Sequence, residues 1–278
     1  RAARAASRPK ATLSRRVAEL EAALDLRLFE RGARTLKLTP EGRALYERTA
    51  ALLTELDESA ASIATGGQIP RGRLRISTPL LFSQIAMGRL AADFAVRHPD
   101  VRLEVTTEDR AVDMVEEGYD LVIRVNPDPD ETLVGRAFLH DRLVVVSVPR
   151  FAGLADESPL PAVVRGTLDG SASWKVTSPG IDQSILIKPV LSLASMIMVR
   201  DAVRAGVGIA QLPISLVGRD LDAGALLSWG DVKGSDIALW ALYPSRRLLS
   251  TRVSAFLEHL KAAFPTGSPN ELAAYFET

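Results

Sequence analysis

The stretch from Ala11 to Arg31, ATLSRRVAELEAALDLRLFER, most constrains what this chain can fold into. Leu13, Val17, Leu20 and Leu24 follow at spacings of four, three and four residues, which predicts one buried face of an α-helix. Basic and hydroxyl side chains lie off that face or just ahead of it: Lys10, Thr12, Arg15 and Arg16. Such a helix suits the major groove of DNA, where Arg and Lys contact phosphates or guanine. The alternative interpretation is an ordinary amphipathic surface helix with a solvated charged face.

The neighbouring segments favour the DNA-binding interpretation. Upstream, RAARAAS is typical of the end of a helix that Arg8-Pro9 breaks, and helix, short turn, helix is the helix-turn-helix order. Downstream, Gly32 suits a turn, and Leu36 and Leu38 alternate with Lys37 as in a small β-wing. Thr39-Pro40-Glu41 then predicts the start of a long helix, with Thr39 as its N-cap.

The long helix is predicted over residues 40–65, and one of its faces carries a repeating seam. The seam residues alternate at three and four positions: Tyr46, Thr49, Leu53, Leu56, Ala60 and Ile63. We expect this seam to pair with a second copy of the chain, with Tyr46, Leu53, Leu56 and Ile63 as the dimerisation residues. The alternative is that the helix packs on its own C-terminal domain. Gly66-Gly67 and Pro70-Arg71-Gly72 predict a hinge over residues 66–72.

Alternating strands and helices follow the hinge. Strands are predicted at residues 73–77, 101–107, 119–125, 143–148, 162–164, 174–177, 185–187, 209–212 and 237–242. Helices are predicted at residues 80–98, 110–117, 196–205, 214–221 and 250–264. This order predicts two α/β units built on a parallel, doubly wound sheet, joined by crossing strands and separated by a cleft for a small molecule. The last residues, from Thr266, form either a short extra helix (ELAAYFE) or a disordered tail.

The sequence resembles the LysR-type transcriptional regulators in several motifs. SRPKATLSRRVAELEAALDLRLFERGARTLKLTPEG is similar to their winged helix-turn-helix, through TLSRRVAELEAAL, LRLFER and LTPEG. DLVIRV, AGVGIAQLP and ALYPSRRLLSTRVSAFLEHL resemble their effector domain, which has the fold of type II periplasmic binding proteins. The resemblance extends to about residue 265. It also implies that the chain begins inside the second helix of the DNA-binding domain, so we expect an N-terminal piece to be missing.

The fold class expected is therefore α/β, with an N-terminal all-α winged helix-turn-helix, a long linker helix and a two-lobed α/β effector-binding domain. The predicted domains are residues 1–39 for DNA binding, 40–65 for dimerisation, 66–72 for the hinge, 73–265 for effector binding and 266–278 for a C-terminal tail. Within the effector-binding domain, lobe I is expected at residues 73–148 and 248–265, and lobe II at residues 149–247.

Two sets of site residues are predicted. Lys10, Thr12, Ser14 and Arg15 are expected in the DNA groove, Arg31 and Arg34 on the wing, and Arg16 and Thr39 on phosphates. Residues at strand or helix ends are expected to face the effector: Thr78, Pro79, Leu80, Thr107, Glu108, Arg124, Ser192 and Ser195. Arg124 suits a carboxylate; a structural ion pair is the alternative. Trp174, Trp229 and Trp240 are interpreted as packing residues and not as ligand platforms.

Composition narrows the function further. The net charge is zero over 278 residues, but residues 1–16 contain six basic side chains and no acidic one, so the basic surface for DNA is local. With no Cys and three scattered His, we expect no metal, no cofactor and no catalytic constellation, and therefore no enzyme. No apolar run reaches the roughly 18–20 residues of a membrane span, and no signal peptide is visible.

The sequence thus predicts a bacterial, cytoplasmic transcriptional regulator controlled by a small-molecule effector. Expected partners are double-stranded DNA, an effector for which a carboxylate is one candidate, and a second copy of the chain. The resemblance adds a homotetramer and RNA polymerase. The alternative is a solute-binding protein without a DNA-binding role.

Overall fold

The computed structural model describes residues 10–30, 37–46, 48–49, 53, 56, 69–110, 113–114, 117–128, 133–153, 159–167, 172–178, 180–244 and 249–277. The chain separates into two units, residues 1–68 and 69–278. Several predicted residues lie outside the described ones: Gly32, Leu36, Arg31, Arg34, Ala60, Ile63, Gly66 and Gly67.

In the first unit, helix α1 spans Lys10–Leu24. It ends at Asp25, which has a positive φ of 51°. The Glu21 carboxylate accepts hydrogen bonds from the backbone N–H groups of Leu28 (2.7 Å) and Phe29 (3.1 Å), and so fixes the chain that leaves the helix. Phe29 then pairs with Leu38 in an antiparallel bridge, which is the described part of the predicted wing.

The apolar face of α1 is less buried than its spacing predicts. Leu13 and Val17 are half-buried, but Leu20 and Leu24 are exposed. The prediction of a fully buried leucine stripe is therefore wrong for its C-terminal half. Spacing identifies which side chains share a face, whereas burial depends on what packs against that face.

The linker helix is helical at residues 40–46, 48–49, 53 and 56. Its predicted N-cap is confirmed, because the Thr39 hydroxyl accepts a hydrogen bond from the Gly42 N–H at 3.0 Å. Gly42 is buried, and a Cβ atom at this position would lie 2.1 Å from the Leu28 carbonyl oxygen. The glycine thus allows the first turn of the linker helix to lie directly against the backbone at Leu28.

The second unit contains nine strands and six further helices among its described residues. The strands are β1 (Gly72–Thr78), β2 (Val101–Thr107), β3 (Leu121–Val125), β4 (Leu133–Ser147), β5 (Leu160–Val164), β6 (Ala172–Ser178), β7 (Ile181–Ser192), β8 (Ala210–Pro213) and β9 (Leu227–Pro244). The helices are α2 (Leu80–Phe82), which continues through a π-helical turn (Ser83–Met87) into α3 (Gly88–Arg97), then α4 (Met196–Arg204), α5 (Ile214–Asp222), α6 (Thr251–Ala263) and α7 (Pro269–Ala273). Short 3₁₀ turns lie at Pro149–Phe151 and Ala274–Glu277.

The strands form a mixed sheet in the order β2-β1-β3-β9-β6-β7-β5, with β4 pairing to β8 and β9. β1 is parallel to β2 and β3, and β5 is parallel to β7. The β3–β9, β4–β8, β4–β9, β6–β7 and β6–β9 pairs are antiparallel, so the prediction of a parallel sheet is wrong for these strands. One cause is local: two residues separate β6 from β7, and Gly180 has a φ of 78°, so these strands form a tight hairpin.

β4 and β9 are both longer than the strands predicted at residues 143–148 and 237–242, and they pair from Leu133 to Ser147. We define lobe I as β1–β3 with α2, α3 and α6, and lobe II as β5–β8 with α4 and α5. One apolar core runs through both lobes, from Leu74 and Phe256 to Leu212 and Val217. A second core lies in lobe II. It contains Val145, Phe151, Leu160, Ala162, Val176, Ile185, Ile187 and Ile209.

Two further segments bear on the sequence-based predictions: residues 110–117 and the C-terminal segment. The predicted helix at residues 110–117 is wrong for its described residues, which form turns and bends around the buried Met114. The C-terminal segment is helical: α7 begins with a capping box between Ser268 and Glu271, and Leu272 is buried in the main core. The pattern Ser-x-x-Glu is a sequence signal for this helix.

Candidate DNA-binding helix and effector site

The polar side chains of α1 do not all lie on one face. Thr12, Arg15 and Arg16 follow the i, i+3, i+4 spacing of one helical face. Arg15 and Arg16 are exposed, and Thr12 is half-buried. Ser14 is also exposed, but two residues correspond to a rotation of about 200°, so it lies on a different side of the helix from Thr12. Lys10 is the first residue of α1.

Arg15 has one ion pair among the described residues. Its Nε lies 3.4 Å from the Glu19 carboxylate, one turn later, and the two side chains are 75% and 64% exposed. A pair this exposed contributes about 0.3–0.5 kcal/mol, so a phosphate or a base can replace Glu19 at little cost. The geometry therefore leaves Arg15 available to DNA.

The described part of the predicted dimerisation seam carries three exposed apolar side chains. Tyr46, Leu53 and Leu56 are 63%, 60% and 65% exposed, respectively. Thr49 also lies on the seam, and its hydroxyl donates to the Leu45 carbonyl within the helix. Three large apolar side chains in one stripe are costly to leave in water, which is the property that a pairing helix needs.

A cluster of hydroxyl groups occupies the ends of β1 and β2 in lobe I. Thr78 is completely buried, and its hydroxyl bonds to that of Ser83 in the π-helical turn. Thr107, which is exposed, donates to the same Ser83 oxygen at 3.0 Å. The structure thus brings Thr78 and Thr107 together, through a serine that the sequence pattern did not single out.

Arg124 lies at the end of β3 and is half-buried. Its guanidinium donates to the Ser77 hydroxyl (2.9 Å) and to the Ile123 carbonyl (2.7 Å), and among the described residues it has no ion pair. Burial lowers the pKa of Arg124, and the nearby Glu108 and Asp109 carboxylates oppose this shift. The structural ion pair that was the alternative for Arg124 is therefore absent from the described part of the chain.

Of the remaining predicted effector residues, Pro79 and Glu108 adjoin this cluster: the Ser83 N–H donates to the Pro79 carbonyl at 2.9 Å, and the Glu108 N–H donates to the Thr78 carbonyl at 3.0 Å. Pro79 and Leu80 are half-buried at the start of α2, and Glu108 pairs with Arg110 at 3.3 Å. In lobe II, the Ser192 hydroxyl donates to the Gly166 carbonyl. Ser195 precedes α4, and its hydroxyl lies 3.4 Å from the Gln84 amide oxygen of lobe I.

A second contact between the lobes involves two residues that the sequence did not point to. Arg165, just after β5, donates to the Asp109 carboxylate of lobe I at 3.1 Å. The other oxygen of Asp109 accepts from the Leu80 N–H at the start of α2, at 2.8 Å. Charged residues on loops after strands carried no pattern that would have singled them out among the other surface charges.

A cavity of about 360 Å³ lies next to Arg165. It is lined by Leu143, Val163, Val164, Arg165, Trp174, Met196, Val199 and Gln211. None of the predicted effector residues is among this lining. Trp174 packs against the second core, as predicted, but it also faces the cavity, so its interpretation as a packing residue alone is incomplete. Trp229 and Trp240 are packing residues.

Two observations bear on other functions. Within the described ranges, no three His, Cys, Asp or Glu side chains come together as metal ligands would. His259, one of the three histidines of the chain, is buried beside the Leu90 carbonyl, and this burial lowers the pKa of His259. No helix in the described part of the chain has the length and apolar character that a membrane crossing requires.

Residues 67–265 match the family model of the LysR substrate binding domain, and residues 1–43 match that of the bacterial regulatory helix-turn-helix proteins of the lysR family. The chain belongs to the LysR family of transcriptional regulators. It is a DNA-binding transcriptional regulator with an effector-binding domain. The solute-binding alternative finds no support, because the helix-turn-helix and the effector-binding domain are both present.

Individual members of the LysR family align with nearly the whole chain. The HTH-type transcriptional regulator YhjC of Escherichia coli K12 is 30% identical over 91% of this chain and 88% of its own length. DmlR of the same organism is 28% identical over 94% of this chain and 87% of its own length.

Two solved structures share the fold. The Vibrio cholerae virulence activator AphB has a TM-score of 0.56 and 23% identity, over 94% of this chain and 92% of that one. CrgA, a LysR-type regulator from Neisseria meningitidis, has a TM-score of 0.57 and 24% identity, over 94% and 91%. At these identities the likeness concerns the fold.

Proposed function

We propose that α1 reads DNA in the major groove with Thr12, Arg15 and Arg16, flanked by Lys10 and Ser14. Arg31 and Arg34 of the wing then hold phosphates or the minor groove. The observation that carries this proposal is the exposed face of α1, where the ion pair of Arg15 with Glu19 is itself exposed to water. Guanidinium groups on such a helix can fork onto guanine and neutralise phosphates.

The exposed seam supports a dimer. Two linker helices would pair through Tyr46, Leu53, Leu56 and Ile63. Such pairing would bury the side chains of Tyr46, Leu53 and Leu56, which are open to water in one chain. Two-fold symmetry then presents two copies of α1 to two DNA half-sites. Replacing Leu53 and Leu56 by Lys is expected to shift the molar mass measured by light scattering towards that of a monomer. Val96→Lys, at an exposed position of α3, is the matched control and is expected to leave the molar mass unchanged.

The effector is proposed to bind between the lobes, near the hydroxyl cluster, Arg124 and the Ser192–Ser195 segment. Binding there changes the contacts between the lobes and so shifts the dimer or tetramer among arrangements with different spacing of the DNA-reading helices. The protein acts in the bacterial cytoplasm, with RNA polymerase as a further partner, and its task is regulation and not catalysis. We propose the domain bounds stated from the sequence, except that α7 is assigned to the effector-binding domain, because Leu272 is buried in the core of that domain.

Alanine replacement of Arg15 tests the DNA-reading role. We expect Arg15→Ala to lose about tenfold or more in affinity for the specific site and much less for random DNA, because a base contact is lost. Arg97→Ala, at the exposed end of α3, is the control and leaves both affinities unchanged. Equal losses on specific and random DNA would mean that Arg15 contacts only phosphate.

A further inference from the structure

The lobe II cavity has an unusual combination of lining groups. Five of its side chains are aliphatic or thioether groups, Trp174 adds an aromatic face, and Gln211 adds an amide. Arg165 is the one charged side chain among these lining residues. A volume of about 360 Å³ lies within the range of small-molecule sites, which are mostly apolar with a few placed polar groups.

The charge of Arg165 already has a carboxylate partner. Asp109 reaches it from lobe I at 3.1 Å, and the two side chains are 46% and 38% exposed. Water screens an ion pair with this exposure, so another carboxylate can displace it. Asp109 would stay in place, since its second oxygen accepts from the Leu80 N–H.

We propose that the lobe II cavity binds a small monocarboxylate with an apolar, preferably aromatic, body, whose carboxylate replaces Asp109 on Arg165. The body lies against Trp174 and the aliphatic lining, and Gln211 remains for one further hydrogen bond. A dicarboxylate or a phosphate is disfavoured, because its second charge meets no cation in the lining. The proposal rests on the proposed function and places the carboxylate on Arg165 instead of Arg124.

Replacement of Asp109 on Arg165 by a ligand changes the contacts between the two lobes. Asp109–Arg165 and Gln84–Ser195 are polar contacts between the lobes, and Met196 follows Ser195 directly and lines the cavity. A ligand on Arg165 therefore removes one inter-lobe contact and lies next to Met196, at the start of the helix that begins beside the other contact. Occupation of lobe II is in this way linked to the position of lobe I.

Calorimetric titration of the full chain with 2-naphthoate and with its neutral amide, 2-naphthamide, tests the proposal. The acid is expected to bind about threefold to fivefold more tightly than the amide, because only the acid forms a charge-assisted hydrogen bond with Arg165, which is partly exposed and must first release Asp109. Arg165→Met is expected to abolish this preference for the acid while the amide still binds. Equal affinities of the two compounds, or no binding of either at millimolar concentration, would overturn the proposal.

Two further variants separate the anchor from general charge effects. Asp109→Asn removes the internal competitor and keeps an oxygen for the Leu80 N–H, so it is expected to tighten naphthoate binding by up to about fivefold. Arg73→Met breaks the Arg73–Glu104 pair of lobe I, which is similarly exposed, and is expected to leave naphthoate binding unchanged. Weaker binding to Asp109→Asn, or an equal loss in Arg73→Met, would contradict the exchange.

The same preparation, titrated with DNA from upstream of its own gene, distinguishes the two levels of the proposal. Specific DNA binding without preference for naphthoate overturns the ligand assignment and leaves the regulator intact. Naphthoate binding that depends on Arg165, without any specific DNA binding, supports the ligand site and overturns the proposed function.

Discussion

Arg15 of the first unit and Arg200 of the second form ion pairs of opposite character. On α1, Arg15 faces Glu19 at 3.4 Å, with 75% and 64% of the two side chains exposed. In lobe II, Arg200 meets Asp220 at 2.6 Å, and these side chains are only 11% and 7% exposed. Water screens the charges of Arg15 and Glu19, so either residue can exchange its partner at little cost. Arg200 and Asp220 are desolvated, so the loss of one leaves the other as a costly buried charge. The exposed pair of Arg15 is compatible with the proposed exchange of Glu19 for DNA, whereas the buried pair of Arg200 joins α4 to α5.

The largest expected effect comes from breaking the buried pair. Asp220 joins α5 to Arg200 of α4 and also approaches Arg204 at 3.5 Å. Asp220→Asn leaves Arg200 charged and uncompensated, so we expect a loss of about 3 kcal/mol or more in the free energy of unfolding. Urea denaturation followed by tryptophan fluorescence measures it. Asp231→Asn, which breaks the exposed Arg142–Asp231 pair of the same unit, is the matched control, with a change below about 0.5 kcal/mol; similar losses in both variants would remove the contrast.

The DNA-binding unit is expected to be most sensitive at its backbone contact. In Gly42→Ala the new Cβ would lie 2.1 Å from the Leu28 oxygen, so the turn between wing and linker must move, at a cost of about 1–3 kcal/mol. We expect DNA affinity to fall while tryptophan-monitored unfolding stays unchanged, since all three tryptophans lie in the second unit.

Gly218→Ala in α5 is the control for this substitution. No atom lies within 4 Å of the position that a Cβ would take there, so the alanine is expected to be neutral or to stabilise the helix by up to about 1 kcal/mol. Full DNA affinity in Gly42→Ala would show that the contact at Leu28 is not required.

A smaller effect concerns pH. Asp141 of β4 is buried and accepts from the Ser215 hydroxyl at 2.5 Å, and burial raises its pKa above the ordinary 3.8. The folded state then holds this proton at pH values where the unfolded chain has released it. Stability from this group therefore rises as pH falls towards 3.8. Unfolding of wild type and Asp141→Asn at pH 7 and pH 5 tests this. We expect the free energy of unfolding of the wild type, relative to that of the variant, to be higher at pH 5 than at pH 7. A higher relative value at pH 7 would contradict the raised pKa of Asp141.

The smallest effect sharpens the contrast on α1 itself. Glu19→Gln removes a negative charge beside Arg15 without changing the helix. We expect DNA affinity to rise by about twofold to fivefold, more at low salt than at high salt, in a fluorescence titration. Unchanged affinity at low salt would indicate that Arg15 does not approach DNA.

The same contrast explains what the sequence could predict. The residues of α1 and the N-cap Thr39 lie within one short stretch, so spacing and capping rules were sufficient to find them. The cavity draws on β4, β5, β6, α4 and β8, and the partner of Arg165 comes from 56 residues away in the chain. Such contacts depend on the mixed strand order, which local patterns do not determine. Gly42 belongs to the LTPEG motif, but the need for a glycine there comes from the close approach of the Leu28 backbone, which is a tertiary contact.

A titration of the full-length protein onto DNA from upstream of its own gene, at two salt concentrations and with random DNA as control, tests the central claim most directly. We predict specific binding whose affinity falls steeply with salt, by about a thousandfold between roughly 50 and 200 mM for six or more phosphate contacts. Binding no tighter than to random DNA at either salt concentration, across a length series of upstream fragments, would contradict the assignment of α1 as a DNA-reading helix.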